Sequence, residues 1–245
     1  MAEAKVAFIT GGNKGLGFET ARQLGKLGVA VVIGSRDAAK GKTAAEKLKA
    51  EGVQAEAVRF DITKAADYKE VYNYLDKKYG RLDILINNAG VSKEDFMGGN
   101  NTSGTSAAVL HETFDTNFFG AVQLTQTLLP LIRKAPAGRI VNLSSILGSL
   151  ALHADPNSPI YNAKAFAYDA SKAALNSFTI HLAHELKDTK IKVNSAHPGW
   201  VKTDMGTDAA PMEIPDGAKT SVALATLPDD GPTGAYIHLG ETLPW

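Results

Sequence analysis

The chain has 245 residues, with 26 Lys plus Arg balanced by 26 Asp plus Glu, and no cysteine. Zero net charge argues against an electrostatic nucleic-acid partner or a polybasic membrane contact. The missing thiols exclude a disulfide scaffold, a thiolate nucleophile and a Cys-ligated zinc site. A hydrophobic fraction of 44% supplies a sizeable core, and the length suits one domain over residues 1–245. Met1–Lys5 leads straight into an apolar strand pattern, and no segment nears the ~18 apolar residues of a membrane span. The expectation is a cytoplasmic protein.

The first strand is expected at Lys5–Thr10. It runs into Thr10-Gly11-Gly12-Asn13-Lys14-Gly15-Leu16-Gly17 and then a helix, Leu16–Leu27. Glycines allow positive φ and close approach of a ligand to the backbone. The helix start adds free N–H groups and a positive dipole end. Strand, glycine-rich turn and helix together point to a dinucleotide site. Gly41-Lys42-Thr43 is no triphosphate loop, because Arg36 stands where that motif needs glycine.

The second strand, Val29–Gly34, is followed by Ser35 and Arg36. An acid there would take both ribose hydroxyls of NAD, whereas a cation pairs with a 2′-phosphate. Arg36 can clamp a phosphate bidentately, with Lys14 and Lys40 as further charges. The expected cofactor is therefore NADPH/NADP+. Asp37 is expected to cap the next helix, Ala38–Ala50.

Further strands are expected at Ala55–Phe60, Leu82–Asn87, Arg139–Leu143, Ile191–Ala196 and Ala235–Leu239. Helices are expected at Ala65–Tyr79, Val109–Lys134 and Ala167–Leu186. The strands are apolar on consecutive residues, as in a parallel sheet covered on both faces. The fold class is α/β, a Rossmann-like doubly wound sheet of about seven strands with helices on both sides. Ser92–Ser106, Ser149–Ala163 and Gly206–Gly217 read as loops. All follow carboxyl ends of strands, where such sheets bind ligands, so they are expected to shape a substrate pocket.

Tyr168 and Lys172 fall at i and i+4 on one helix, sharing a face. At ~4 Å and an effective dielectric of ~20, an ammonium would favour the phenolate by ~4 kcal/mol. That is about three pKa steps, which would bring Tyr168 near neutrality as a general acid or base. Ser145, beyond the Arg139–Leu143 strand, is placed to hydrogen-bond a substrate oxygen beside it.

These residues resemble the short-chain dehydrogenase/reductase family over nearly the full length. The resemblance is carried by Thr10–Gly17, Asp61, Asn87-Asn88-Ala89-Gly90, Asn117, Ser145, Tyr168, Lys172 and Pro198-Gly199. It implies that Tyr168 donates a proton to a carbonyl oxygen. Lys172 would lower the Tyr168 pKa and hold the nicotinamide ribose, Ser145 would orient the carbonyl, and Asn117 would support a water linking Lys172 to solvent. Asp61 with Ile62 would meet the adenine, and Asn88, Ala89 and Gly90 the adjoining ribose region. Pro198, Gly199 and Val201 would border the nicotinamide, with Thr203 near its amide or phosphate. Thr10–Gly15, Ser35-Arg36-Asp37, Thr116–Gly120, Pro198–Met205 and Trp245 resemble the carbonyl-reductase branch in particular. Ile146–Ala167 makes 22 residues between Ser145 and Tyr168, about ten more than the family's usual spacing and fewer than in its monomeric carbonyl reductases. Monomer and homo-oligomer both stay open.

The reading is hydride transfer from NADPH to a small ketone or aldehyde. Its rivals are reduction of a C=C bond or of a carrier-bound 3-oxoacyl group on the same fold, and a non-catalytic NADPH sensor. No metal is expected: His181, His184 and Glu185 do not follow a metalloprotease pattern. His197 is expected to pack structurally. Tyr161, Trp200, Phe96, Met97 and Met205 are candidate pocket walls.

Overall fold

The computed structural model describes residues 4–94 and 100–245. In chain order it runs β1 (Val6–Thr10), α1 (Gly15–Lys26), β2 (Ala30–Ser35), α2 (Ala38–Ala50), β3 (Ala55–Arg59), α3 (Ala65–Tyr79) and β4 (Ile84–Asn87). Then come α4 (Ala107–Phe114), α5 (Gly120–Ile132), β5 (Arg139–Leu143), α6 (Leu150–Ala154) and α7 (Phe166–Glu185). The chain closes with β6 (Lys192–Ala196), α8 (Ile214–Ala225), β7 (Tyr236–His238) and β8 (Glu241–Thr242). Among the described residues the strands form one sheet, ordered β3-β2-β1-β4-β5-β6-β7-β8. Pairing is parallel from β3 to β7, in register from Val31↔Ala55 through Ala196↔Ile237.

Alternation along each strand divides the core into two layers. Val6, Phe8, Val32, Leu85 and Ile140 face one way, against residues of α3, α5 and α7. Ala7, Ile9, Ile33, Ile86 and Val141 face the other, against α1, α2 and α8. Both faces are buried, as the continuous apolar runs require.

Four expectations need correction, the first being the Ser149–Ala163 loop, part of which is α6. An eighth strand exists: β8 runs antiparallel to β7 through Ile237↔Thr242 and His238↔Glu241. Two residues are too few for a period-2 signal. Part of the expected Gly206–Gly217 loop is the start of α8, where Pro215 and Gly217 read as breakers. A proline in the first turn costs nothing, since its missing N–H has no intrahelical partner there. The expected Val109–Lys134 helix is α4 and α5 joined by a π-helical turn, Asp115–Phe119. No helix among the described residues is long and apolar enough to cross a membrane.

Buried polar groups tie the central strands. Asn87 Nδ2 donates to Thr125 Oγ1 (2.9 Å) and Asn142 Oδ1 (2.8 Å), and Asn142 Nδ2 donates to Thr179 Oγ1 (2.8 Å). At the amino end of β5, the buried Arg139 guanidinium donates to the carbonyls of Gly138, Lys190 and Leu227 and to Asp229. The first set ties the carboxyl ends of β4 and β5 to α5 and α7, and the second holds the amino end of β5.

Candidate active site

The turn after β1 has Gly11 at φ 63° and Gly15 at φ 55°, in the left-handed region. Gly17 has no room for a side chain: a Cβ would stand 2.5 Å from Asn88 Nδ2 and 2.6 Å from the Gly11 carbonyl. Lys14, at the N-cap of α1, supplies no side-chain cap. The first N–H groups of α1 therefore keep their donor capacity beside half-buried Asn13, Gly15 and Leu16. This is a cradle that fits a pyrophosphate.

β4 is strapped to this turn. Thr10 Oγ1 accepts the N–H groups of Asn88 (3.0 Å) and Ala89 (2.9 Å), and Asn88 Nδ2 donates to the Thr10 carbonyl (2.7 Å). Asn88 thus commits its amide to the glycine turn. Gly90 follows, close enough that a Cβ would lie 3.5 Å from both Asn117 Oδ1 and Lys172 Nζ.

The ends of β2 and β3 lie alongside. Ser35 is buried, and its hydroxyl donates to the Asp37 carbonyl (2.8 Å). Asp37 caps α2 as expected, accepting the Lys40 N–H (3.0 Å). Arg36 and Lys40 are exposed. Burial would raise the Asp61 pKa, but hydrogen bonds from the Thr63 N–H and hydroxyl, with the charges of Arg36 and Lys64, lower it instead. The Lys14 ammonium pairs with Asp204, and both side chains are exposed. The Ile62 side chain belongs to the core, which leaves only its backbone for a ligand.

Asn117 lies in the π-helical turn, a distortion that re-aims side chains. Its Oδ1 accepts the Val91 N–H (2.8 Å), and its Nδ2 donates to the Val91 carbonyl (2.9 Å) and Ser171 Oγ (3.0 Å). It joins the segment after β4 to α7, one residue from Lys172. Lys172 Nζ donates to the Leu143 carbonyl (2.7 Å) and lies 5.6 Å from the Tyr168 ring centre.

Ser145 follows β5, and its hydroxyl is hydrogen-bonded to the Tyr168 phenol. The expected depression of Tyr168 does not occur. Burial pushes its pKa up to about 12, against the Ser145 hydrogen bond and with the Asp169 charge. Burial also pushes Lys172 down to about 8. Loss of hydration penalises both charged forms, and it outweighs the attraction inferred from spacing.

After β6, His197 is pushed down to about 3 by burial and by His238. Its neutral Nδ1 accepts the N–H groups of Ile146 (3.1 Å) and Gly199 (3.4 Å). It therefore clips the residue after Ser145 to the turn containing Pro198 and Gly199, the latter at φ 90°. Val201 packs its side chain on Gly217 of α8, and its carbonyl accepts the Thr203 N–H (2.8 Å).

Asn100 Nδ2, in the first irregular segment, donates to the Lys164 carbonyl (2.8 Å) just past the second, and Asp204, just before the third, pairs with Lys14 of the glycine turn. Trp200 is 47% exposed, its indole N–H donating to the Gly206 carbonyl (2.7 Å), and Met205 is half-buried. Tyr161 lies 5.0 Å under the Lys164 ammonium despite the i+3 spacing. Phe96 and Met97 fall outside the described residues. His181 and His184 are exposed on α7, and Glu185 pairs with Arg133 (3.5 Å).

Sequence reasoning missed Tyr236, whose hydroxyl donates to the Ser145 carbonyl and whose ring stacks on Trp245 at 5.4 Å. It also missed Glu94, which accepts the Tyr168 N–H (3.0 Å). A buried tyrosine in a terminal strand was a legible hint for the first. Nothing local marked the second.

A family model described as short chain dehydrogenase matches residues 5–214. The chain is 34% identical to "Carbonyl reductase [NADPH] 1" of Mus musculus, covering 98% of each. It is 32% identical to "(+)-neomenthol dehydrogenase" of Capsicum annuum, over 97% of this chain and 96% of that one. Among solved structures, the NADPH-bound carbonyl reductase from chicken fatty liver superposes with a TM-score of 0.84 at 26% identity, covering 99% and 100% of the two chains.

Proposed function

The chain belongs to the short chain dehydrogenase family, and we propose that it is an NADPH-dependent carbonyl reductase acting on a small ketone or aldehyde. One observation carries the reading: the Ser145–Tyr168 hydroxyl pair and Lys172 stand at the same sheet edge as the uncapped start of α1. The names of similar proteins, several of them NADPH carbonyl reductases, support the cofactor and the reaction class. One sheet carries all of these residues, so residues 1–245 are taken as one catalytic domain.

Gly11, Asn13, Gly15, Leu16 and Gly17 would hold the pyrophosphate through backbone N–H groups. Arg36, flanked by Lys40, would take the 2′-phosphate, and Lys14 would join them only by leaving Asp204. Asp61 and the Ile62 backbone would border the adenine, and Ala89 and Gly90 the ribose. Lys172 would bind the nicotinamide ribose, with Pro198, Gly199, Val201 and Thr203 around the ring. The reduced nicotinamide, when bound, supplies the hydride.

The chain's part is to place the carbonyl and to move a proton. Ser145 donates a hydrogen bond to the carbonyl oxygen, and Tyr168 gives that oxygen its phenolic proton. A pKa of about 12 keeps the phenol loaded throughout the neutral range. An alkoxide is a stronger base than a phenolate, so the transfer runs downhill. The Lys172 ammonium, at about 8, is a stronger acid than the phenol at about 12, so it can reload Tyr168. Asn117 steadies this corner by joining Val91 to Ser171.

The test follows NADPH absorbance against a panel of ketones, aldehydes, quinones and enones, with Tyr168→Phe as control. Carbonyl-dependent oxidation that falls by ~100-fold or more in the variant is expected, while NADPH affinity stays within a few-fold. Full activity in Tyr168→Phe, or oxidation with enones alone, would overturn the proposal.

A further inference from the structure

The peptide group between Ser145 and Ile146 is held at both ends. Its carbonyl accepts the Tyr236 hydroxyl and the Gly148 N–H (2.7 Å). Its N–H donates to His197 Nδ1 (3.1 Å). The Gly148 bond belongs to the local turn Ile146–Gly148. The other two come from side chains 91 and 51 positions along the chain from their partners, one on β7 and one just after β6. A peptide group is planar, so fixing its carbonyl and its N–H fixes the tilt of the whole plane. The Ser145 Cα lies in that plane. The tilt therefore limits ψ at Ser145, which is extended at φ −153° and ψ 148°, and with it the direction of the hydroxyl.

Both holding groups are themselves fixed. Tyr236 is fully buried, and its ring stacks on Trp245 at 5.4 Å. The Tyr236 carbonyl accepts the Leu243 N–H (2.7 Å), and the Trp245 backbone oxygen accepts the Ala151 N–H (2.9 Å) of α6. His197 is buried too, and its N–H donates to the Ile237 carbonyl (2.8 Å). Its own carbonyl lies 2.9 Å from His238 Nδ1, which therefore carries hydrogen, and the two imidazoles are 4.7 Å apart. His197 Nδ1 faces two N–H donors, those of Ile146 and Gly199, so its lone pair points at them and the ring hydrogen sits on Nε2. A protonated ring would set another donor against them, and burial keeps this one neutral.

We propose that Tyr236 and His197 are positioning residues that clamp the Ser145–Ile146 peptide from its two ends and so hold the Ser145 hydroxyl beside the Tyr168 phenol. The inference rests on Ser145 being the group that orients the substrate carbonyl. His197 Nδ1 also accepts the Gly199 N–H (3.4 Å), so the clamp spaces Ser145 from the turn of Pro198 and Gly199. Either side chain alone still limits the tilt. Loss of both frees the plane, because the Gly148 bond moves with the local turn and cannot anchor it to the sheet.

The experiment compares His197→Leu, His197→Asn, Tyr236→Phe and the double variant of His197→Leu with Tyr236→Phe. Leucine and asparagine have nearly the same shape, and the asparagine oxygen branches from Cγ as Nδ1 does, so the pair isolates the acceptor. The first arm is amide hydrogen exchange of the free protein, read at Ile146 by NMR. Exchange is expected to be about 10-fold faster in His197→Leu than in wild type and to return to within about two-fold in His197→Asn. Unchanged exchange in His197→Leu overturns the clamp. The second arm is turnover. Each single loss is expected to lower kcat by about five-fold and the double loss by about 100-fold, more than the product of the two, with the KM for NADPH within about three-fold. His197→Asn is expected to restore most of what His197→Leu loses. A double variant no worse than that product, or an Asn variant no better than Leu, overturns the positioning role. If His197→Leu does not fold, Tyr236→Phe decides, and a kcat equal to wild type overturns the clamp. The exchange arm needs no substrate, so an inactive wild type would sink the reductase reading alone.

Discussion

Lys172→Met is expected to make the protein more stable at pH 7 while removing its turnover. Lys172 is only 3% exposed, and burial takes its pKa from 10.5 down to about 8. That gap corresponds to ~3 kcal/mol. Between 8 and 10.5 the folded chain binds fewer protons than the unfolded one, so stability rises with pH across this window. It is lost again as pH falls through 8. Methionine keeps much of the length and removes the charge. It also removes the bond to the Leu143 carbonyl, which costs ~1 kcal/mol. The net gain at pH 7 is ~2 kcal/mol, or about 6 °C in a chain of this size. Thermal unfolding followed by circular dichroism, without added coenzyme, reads it directly. The advantage should vanish by pH 10.5, where folded Lys172 is neutral and the unfolded lysine is already half deprotonated. A variant that melts lower than wild type by the same margin at both pH values would refute the burial argument.

Two further substitutions separate the ligand edge from the opposite one. Arg36→Ala is expected to weaken NADPH binding by ~30-fold and NADH binding by no more than two-fold, measured by calorimetric titration. Equal losses would remove Arg36 from the 2′-phosphate. Arg139→Met strips donors from the Gly138, Lys190 and Leu227 carbonyls at the amino end of β5 and is expected to cost ~3 kcal/mol of stability by urea denaturation. Its KM for NADPH should stay unchanged, and a large rise would mean that this corner communicates with the ligand edge.

The seven longer strands were legible because the parallel sheet buries both faces, and Val- and Ile-rich runs such as Ala30–Ser35 have no other use. Asp37 was legible because capping is a matter of three residues. The start of α8 was not, since Pro215 and Gly217 carry the same signal in a loop and in a first helical turn. Position along a helix gave the Tyr168–Lys172 pair, but not the sign of either pKa. That sign depends on burial, which spacing does not contain. Glu94 and Tyr236 escaped for a different reason: their partners lie 74 and 91 residues away, and only the folded sheet brings them together.

The directions of the shifts at the start of α7 have a common cause. Tyr168 is pushed up to about 12, Asp169 up to about 7 and Lys172 down to about 8, with burial the largest cause each time. Each shift favours the neutral form, so within five residues the helix presents a proton donor, an acid and a base that all resist charging. A dry site of this kind makes a developing negative charge on a substrate oxygen more costly, and it strengthens every hydrogen bond offered to that oxygen. The Ser145 and Tyr168 hydroxyls are the groups placed to offer them, and their value depends on not drifting apart. That requirement accounts for the density of ties around them. Tyr236 holds the Ser145 carbonyl, His197 holds the Ile146 N–H, and Glu94 holds the Tyr168 N–H. Each tie comes from a different part of the chain, so relaxing one element leaves the two hydroxyls held by the others.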